Sequence, residues 1–143
     1  MPFDRRQFLT SAAALGATLA APMVARAQTA PHVVVIGGGA GGATAARYIA
    51  TGSNGAINVT LVEPTRAYYT CFFSNLYLGG FREMNSLGHS YGTLASNFGI
   101  NVVHDWAVGV DRDAKSVSLA GGGSLSYDRL VLSPGIDFIE DSV

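Results

Sequence analysis

A glycine-rich turn, Gly37-Gly38-Gly39-Ala40-Gly41-Gly42, lies between an apolar run that favours a buried strand and an alanine-rich run that favours a helix. Gly37, Gly39 and Gly42 have the G-x-G-x-x-G spacing. In that spacing the first glycine permits a tight turn, the second lets the backbone approach a pyrophosphate, and the third lets the helix pack closely on the strand. The helix N-terminus offers unpaired amides and the positive end of a dipole to phosphates. The run predicts a dinucleotide-binding unit, with a purely structural glycine turn as the alternative.

An acidic residue follows the next apolar run at the distance that such a unit requires. Residues 57–63 predict a second strand that ends in Glu63, 21 residues after Gly42. A carboxylate at this point can accept hydrogen bonds from the hydroxyls of an adenosine ribose. Glu63 allows NAD as well as FAD, so the acid by itself does not distinguish the two cofactors.

The first 27 residues have the composition of an export signal. Arg5 and Arg6 belong to a twin-arginine motif, an alanine-rich apolar run covers residues 11–21, and residues 25–27 read as an A-x-A cleavage site. The apolar run is about half of the roughly 20 residues that a membrane span requires, so no stable span is expected. We expect residues 1–27 to be a signal peptide and the protein to be periplasmic; an N-terminal helix packed on the domain is the alternative.

Export by this route favours a cofactor that is already bound. Twin-arginine signals direct folded proteins across the membrane, and the compartment outside the inner membrane has no obvious nicotinamide pool. A tightly held flavin is therefore favoured over a freely exchanging NAD.

Charge and cysteine content exclude further classes of function and of site. Without residues 1–27 the chain loses three of its nine Lys and Arg and one of its ten Asp and Glu, which leaves a net charge of −3. No basic patch remains, so no nucleic acid partner is expected. The single cysteine, Cys71, cannot form an internal disulfide. His89 has no partner at metal-ligand spacing, and we assign neither a metal site nor a catalytic residue to this chain.

The apolar pattern of residues 28–143 predicts an α/β fold. Trp106 and Phe98 are expected in the core, and residues 64–89 show no regular pattern. The predicted elements are a strand at 32–36, a helix at 41–50, a strand at 57–63, a short helix at 91–98 ended by Gly99, a strand at 100–104, an antiparallel meander at 107–111, 116–119 and 124–127, and a buried strand within 127–135. This order is that of a Rossmann-like FAD-binding domain with a parallel sheet and a β-meander.

Five groups of residues carry a resemblance to a known family: residues 35–46, 61–64, 68–75, 102–105 and 127–135. The most restrictive is the Tyr-Tyr-Thr-Cys sequence that ends at Cys71, because the glycine motif is shared with many flavoproteins. Together the groups resemble the flavoprotein subunit of flavocytochrome c sulfide dehydrogenase, within the FAD/NAD-linked pyridine nucleotide-disulfide reductase superfamily. The resemblance covers essentially all of residues 28–143.

The resemblance implies a role for each candidate site residue. Glu63 would bind the adenosine ribose, Ala107 would present backbone groups to the adenine, and Ser133-Pro134-Gly135 would close over the cofactor. Cys71 would carry FAD through a thioether to the 8α-methyl group; without the resemblance, a lone cysteine is more often a buried, inert side chain. The residues expected to hold the pyrophosphate are Gly37, Gly38, Gly39, Ala40, Gly41 and Gly42.

The resemblance also implies a longer enzyme, of which this chain would be the N-terminal part of the FAD-binding domain. The whole protein would pass electrons from sulfide through a cysteine disulfide and FAD to a c-type cytochrome subunit, and the redox-active cysteine pair would lie beyond this chain. No C-x-x-C-H haem motif occurs here, so the haem would come from the partner. The alternatives are a sulfide:quinone oxidoreductase-like flavoprotein, a non-catalytic FAD-binding remnant and an ordinary NAD-binding module.

Overall fold

A computed structural model of the protein describes residues 30–136. The predicted signal peptide, residues 1–27, lies outside the described residues. The elements in chain order are β1 (His32–Ile36), α1 (Ala40–Gly52), β2 (Asn58–Val62), β3 (Ala67–Tyr69), α2 (Ser74–Leu78), a 3₁₀ turn (Met84–Leu87), β4 (Gly88–Ser90), α3 (Gly92–Phe98), β5 (Asn101–Val103), β6 (Ala107–Asp111), β7 (Ser116–Leu119), β8 (Ser124–Ser126) and β9 (Arg129–Leu132).

A four-stranded parallel sheet with the order β5-β2-β1-β9 forms the centre of the domain. Its side chains alternate between two faces, as the two-residue period of a strand requires. Val33 and Val35 belong to one hydrophobic cluster with Ala46 of α1, and residues of α3 pack against it, whereas Val34 on the opposite face clusters with Val117 of β7. The sheet therefore lies between a helical layer and an antiparallel meander, β6-β7-β8, which confirms the predicted α/β fold class.

Local signals placed most elements correctly. β1 matches its predicted bounds, and α1 begins one residue earlier than expected and runs two residues further. Gly99 ends α3 with a left-handed φ of 63°, a conformation that glycine adopts without a steric penalty. The three meander strands lie where the change of period predicted them.

Three expectations were wrong. The supposedly irregular residues 64–89 contain most of a two-stranded antiparallel sheet, β3 with β4, and two short helical segments. Leu132 of β9 was predicted to be buried but is 63% exposed, because among the described residues β9 pairs only with β1. Trp106 is 65% exposed, whereas its neighbour Ala107 packs against the core. Within residues 30–136, no helix has the length and apolar character needed to cross a membrane.

The packing of α1 on β1 gives a direct test. Gly42→Ala is expected to destabilise the domain strongly, because the added methyl group would overlap the main-chain carbonyl oxygen of Gly37. Gly52→Ala is the matched control in the same helix, since a Cβ there meets nothing within 4 Å. Replacing a helical glycine by alanine stabilises by up to about 1 kcal/mol. Thermal unfolding followed by circular dichroism compares the two variants, and a Gly42→Ala protein that melts like the wild type would contradict this packing.

Candidate functional site

The glycine turn lies at the carboxyl edge of the parallel sheet, between β1 and the N-terminus of α1. After β1 the chain enters α1, which lies on one face of the sheet. The other neighbour of β1 in this direction is β9, and the meander that precedes β9 lies on the opposite face. Open α/β sheets bind ligands in the crevice outside the carboxyl ends of the strands at such a switch point.

Gly37 makes the turn that leads out of β1. Its φ of +98° is one that side chains rarely adopt, and a Cβ would overlap the main-chain carbonyl of Ser133. The Gly37 amide donates to Val62 O at 2.9 Å, and the Ser133 amide donates to Ile36 O at 2.8 Å. These bonds hold the ends of three adjacent strands together at the mouth of the turn.

Within the described part of the chain, no side chain caps the N-terminus of α1 with a hydrogen bond. Gly39 is its N-cap residue, makes no side-chain cap hydrogen bond, and no acidic residue occupies the first turn. The first amides of a helix have no partner within the helix, so those of Ala40 and Gly41 belong to an uncapped end. A Cβ at Gly39 would meet only Tyr68 Cε2, at 3.8 Å, so a ligand can approach this backbone closely. The positive end of the α1 dipole makes the place suitable for an anion.

Glu63 joins the end of β2 to the glycine turn. Its Oε2 accepts a hydrogen bond from the Gly38 amide at 2.7 Å, and its Oε1 accepts from the amide and hydroxyl of Thr65 at 2.9 and 2.7 Å. Glu63, which the sequence predicted as the ribose-binding acid, is thus bonded to the glycine turn; its contact with a ribose stays a prediction. The Thr65 contacts were not foreseen.

Two opposing effects act on the pKa of Glu63. Partial burial raises it, whereas the hydrogen bonds from Thr65 and Gly38 and the nearby His104 ring lower it. The net result is a pKa below the ordinary value of 4.5. The carboxylate is therefore ionised at neutral pH and available to accept hydrogen bonds.

Tyr91 is a site residue that sequence reasoning missed. Its side chain is only 4% exposed, and its hydroxyl donates to Gly38 O at 3.0 Å. Burial raises the pKa of Tyr91, and the charge of Glu63 raises it further, so the phenol stays protonated and remains a donor at neutral pH. Gly38 and Tyr91 are 53 residues apart in the chain, and no local pattern marks such a contact.

Cys71 lies two residues after β3, in the segment that leads into α2, and is exposed. Cys71 is therefore not buried, contrary to the alternative interpretation of a lone cysteine. Phe72 and Phe73 beside it are 60% and 64% exposed, and Phe73 adopts a left-handed φ of 65°. The guanidinium carbon of Arg82 lies 5.4 Å from the centre of the Phe73 ring. Cys71 thus stands among aromatic side chains on an accessible surface.

The remaining predicted residues lie around this edge. Ala107 begins β6 and pairs with Leu119. Pro134 and Gly135 follow β9 and are exposed, and Gly135 has a φ of +81°. Their contacts with a cofactor stay predictions.

His104 and Asp105 hold the main chain near the same edge. The His104 Nδ1 lies 3.1 Å from Glu63 O. The Asp105 carboxylate accepts hydrogen bonds from the Trp106 and Gly121 amides. These contacts agree with a structural role for both side chains. Among residues 30–136, no group of three or more His, Cys, Asp or Glu is placed to hold a metal ion.

Two concavities lie at opposite ends of the sheet. One of about 480 Å³ is bordered by Gly38, Tyr68 and Tyr91 beside the glycine turn. A larger one of about 610 Å³ is bordered by His32 and Asp128 at the amino ends of the strands. The larger one is remote from the glycine turn, whereas the smaller one includes Gly38 and therefore lies beside the candidate site.

A sequence model of the pyridine nucleotide-disulphide oxidoreductase family matches residues 31–138. The matched region contains the glycine turn, Glu63 and Cys71. It also contains the whole parallel sheet and the meander described above.

Individual relatives agree with this match. Sulfide-quinone reductase from Aquifex aeolicus (strain VF5) is 33% identical over 108 residues, which are 74% of this chain and 24% of that protein. The flavoprotein chain of sulfide dehydrogenase (flavocytochrome c) from Chlorobaculum thiosulfatiphilum is 56% identical over 44 residues, which are 31% of this chain and 90% of that sequence. The X-ray structure of sulfide:quinone oxidoreductase from Aquifex aeolicus is 28% identical with a TM-score of 0.67, covering 78% of this chain and 26% of that chain. The chain thus spans about a quarter of the length of the Aquifex protein, and the resemblance expected from the sequence is confirmed.

The lowered pKa of Glu63 predicts how stability depends on pH. Because ionised Glu63 is favoured in the folded state, its contribution is complete above the unfolded-state pKa, near 4.5, and is lost as the pH falls through the lower folded-state pKa. Glu63→Gln is therefore expected to be less stable than the wild type at pH 7, and the difference should shrink below about pH 4.5.

Chemical denaturation at several pH values between 7 and 3 measures this difference in the free energy of unfolding. Glu83→Gln, which removes the charge of an exposed glutamate, controls for the change in net charge. A Glu63→Gln difference that stays constant across this range would show that the carboxylate does not stabilise the turn.

Proposed function

The chain belongs to the pyridine nucleotide-disulphide oxidoreductase family, and from that membership we propose that it is the FAD-binding part of a sulfide-oxidising flavoprotein. One observation carries the proposal: the uncapped N-terminus of α1 lies beside an ionised carboxylate, Glu63, that is bonded to the same glycine turn. In a dinucleotide, the pyrophosphate suits the helix N-terminus and a ribose diol suits the carboxylate.

The residues fit the adenosine diphosphate half of FAD. The turn has no Cβ at residues 37–39, 41 and 42, and a side chain at Gly37 or Gly42 would overlap main chain. Amides at the start of α1 would hold the pyrophosphate, and Glu63 would accept hydrogen bonds from the ribose. Ala107, Pro134 and Gly135 would contact the adenine and close the site. The flavin would supply the redox chemistry, and the chain's own residues would bind and orient it.

We also propose that Cys71 is the covalent anchor of the flavin, through a thioether from its Sγ to the 8α-methyl carbon. Forming this bond would break the thiol S–H bond and one methyl C–H bond, and the two electrons would pass to the flavin itself, so no other oxidant is required. The proposal rests on the Tyr-Tyr-Thr-Cys sequence, on the exposure of Cys71 and on the aromatic side chains beside it. A thiol must be accessible to react, and exposed Phe72 and Phe73 are suited to pack against an aromatic ring.

The electron acceptor that we favour is a c-type cytochrome subunit in the periplasm. Its support is the similarity to the sulfide dehydrogenase flavoprotein chain and the twin-arginine sequence at Arg5 and Arg6. A quinone is the second candidate, because the Aquifex relative is a sulfide-quinone reductase. Sulfide is the proposed electron donor in either case, and its oxidation site would lie outside residues 30–136.

Covalent attachment predicts a fluorescent protein band after denaturation. Full-length protein matured in its own host is expected to gain the mass of one FAD less two hydrogen atoms, and the modified peptide is expected to contain Cys71. Cys71→Ser is expected to keep flavin while folded and to release it on denaturation. Intact mass spectrometry and in-gel flavin fluorescence measure both results. Flavin that is released from the wild type would overturn the covalent anchor, and a wild type without any flavin would leave only a remnant or a nicotinamide site.

The proposed electron acceptor predicts a difference between two reduction rates. The purified full-length protein with its co-purifying subunits is expected to reduce a c-type cytochrome when sulfide is added, faster than it reduces a soluble quinone analogue. Stopped-flow absorbance at the haem and quinone bands measures both rates on one preparation. Faster quinone reduction, with no haem subunit co-purified, would favour the alternative acceptor.

A further inference from the structure

The peptide groups on either side of the Gly38 Cα are each held by a different side chain. The amide of Gly38 donates to Glu63 Oε2 at 2.7 Å, and its carbonyl oxygen accepts from the Tyr91 hydroxyl at 3.0 Å. Glu63 follows β2, and Tyr91 precedes α3. Two elements that are separate in the chain therefore fix the conformation of one glycine in the turn.

Anchoring the Gly38 carbonyl also orients the next amide. The Gly38–Gly39 peptide is trans, since no cis bond occurs in the described residues. In a trans peptide the C=O and the following N–H point in opposite directions. The Gly39 N–H is therefore turned away from Tyr91. It stands at the start of α1, where only Tyr68 comes within 4 Å of a Cβ placed on Gly39.

Tyr91 also explains why residue 38 is glycine. Gly38 does not have a positive φ, so its backbone conformation is open to other residues. A Cβ there would lie 2.6 Å from the Tyr91 hydroxyl oxygen and 2.7 Å from ring carbons Cε1 and Cζ. The Tyr91 ring is buried in the core with Val33 and Val35, so moving it aside would disturb the packing of the core. The ring packs against the Gly38 Cα, and the hydroxyl holds the carbonyl.

We propose that Tyr91 is a positioning residue for cofactor binding, which fixes the Gly38–Gly39 peptide so that the Gly39 amide is presented to the pyrophosphate. The inference rests on the proposed FAD site, and it adds to that site a residue outside the glycine motif. Tyr91 itself need not touch the cofactor; it acts through the main chain of Gly38.

The hydroxyl is tested by Tyr91→Phe, which keeps the ring. The variant is made in a full-length Cys71→Ser protein, so that a covalent bond does not mask the affinity. The dissociation constant for FAD is expected to rise about two- to tenfold, the size of one hydrogen bond. The visible spectrum of the bound flavin is expected to stay unchanged, because the isoalloxazine is not displaced. The concentration dependence of FAD incorporation is measured in the Cys71-containing protein as well.

Tyr127→Phe is the matched control. Its hydroxyl also reaches a main-chain carbonyl, that of Asp111 at 3.4 Å, but in the meander. We expect it to change FAD affinity by less than about twofold, the usual limit for independent sites. The melting temperature of each apoprotein separates general loosening from a local effect. An FAD affinity of Tyr91→Phe equal to that of the control would overturn the proposal.

The ring is tested by a double-mutant cycle. Gly38→Ala is expected to weaken FAD binding more than tenfold when Tyr91 is present, and less than about twofold when Tyr91 is replaced by leucine, because the obstructing ring atoms are then gone. Gly42→Ala is the comparison, since its obstacle is the main chain of Gly37 and Tyr91→Leu should give no recovery. Equal effects of Gly38→Ala in both backgrounds would overturn the steric part.

The experiments separate this inference from the proposed FAD site. If neither the wild type nor Cys71→Ser takes up FAD, the proposed function fails. If both bind FAD and the Tyr91 variants bind it equally well, the proposed function stands and Tyr91 is not a positioning residue.

Discussion

The close contact between the first turn of α1 and the end of β1 is the constraint on which the site depends. Gly42 packs against the Gly37 carbonyl at a distance that leaves no room for a Cβ, and the positive φ of Gly37 makes that approach possible. Because the helix then starts at the carboxyl edge of the sheet, its uncapped amides lie at the edge where open α/β sheets bind ligands. The same contact shapes the domain and leaves the helix end free for an anion.

Glu63 links the folding of this edge to its proposed chemistry. Its carboxylate accepts one hydrogen bond from Gly38 and two from Thr65, out of about four acceptor positions on a carboxylate. These bonds lower its pKa despite partial burial, and the bond to Gly38 holds the turn to the end of β2. Under the proposed function, a ribose diol would have to share the carboxylate with Thr65, whose side chain is exposed and can pair with water instead.

Sequence reasoning succeeded where one short stretch of residues determines the outcome. The strand–glycine–helix unit, the acid after β2, the Gly99 helix end and the meander all follow from local period or from glycine. It failed where contacts between residues far apart in the chain determine the structure. β3 and β4 have three residues each and pair across about twenty residues, so neither shows a period. The contact of Tyr91 with Gly38 spans 53 residues. Leu132 was predicted to be buried because an apolar run does not reveal how many other strands pair with its own.

The segment that carries Cys71 begins and ends next to the glycine turn. It leaves Glu63, forms β3, passes through Cys71 and α2, returns through β4 and reaches Tyr91 directly after Ser90. Glu63 accepts a hydrogen bond from the amide of Gly38, and Tyr91 donates one to its carbonyl oxygen. Both ends of this segment are therefore bonded to the same glycine. The pairing of β3 with β4 and the Thr70–Leu87 main-chain bond close it at its base. Under the proposed function, this connection would set the position of the flavin anchor relative to the pyrophosphate site, because displacing either end of the segment would disturb the turn that holds the phosphates.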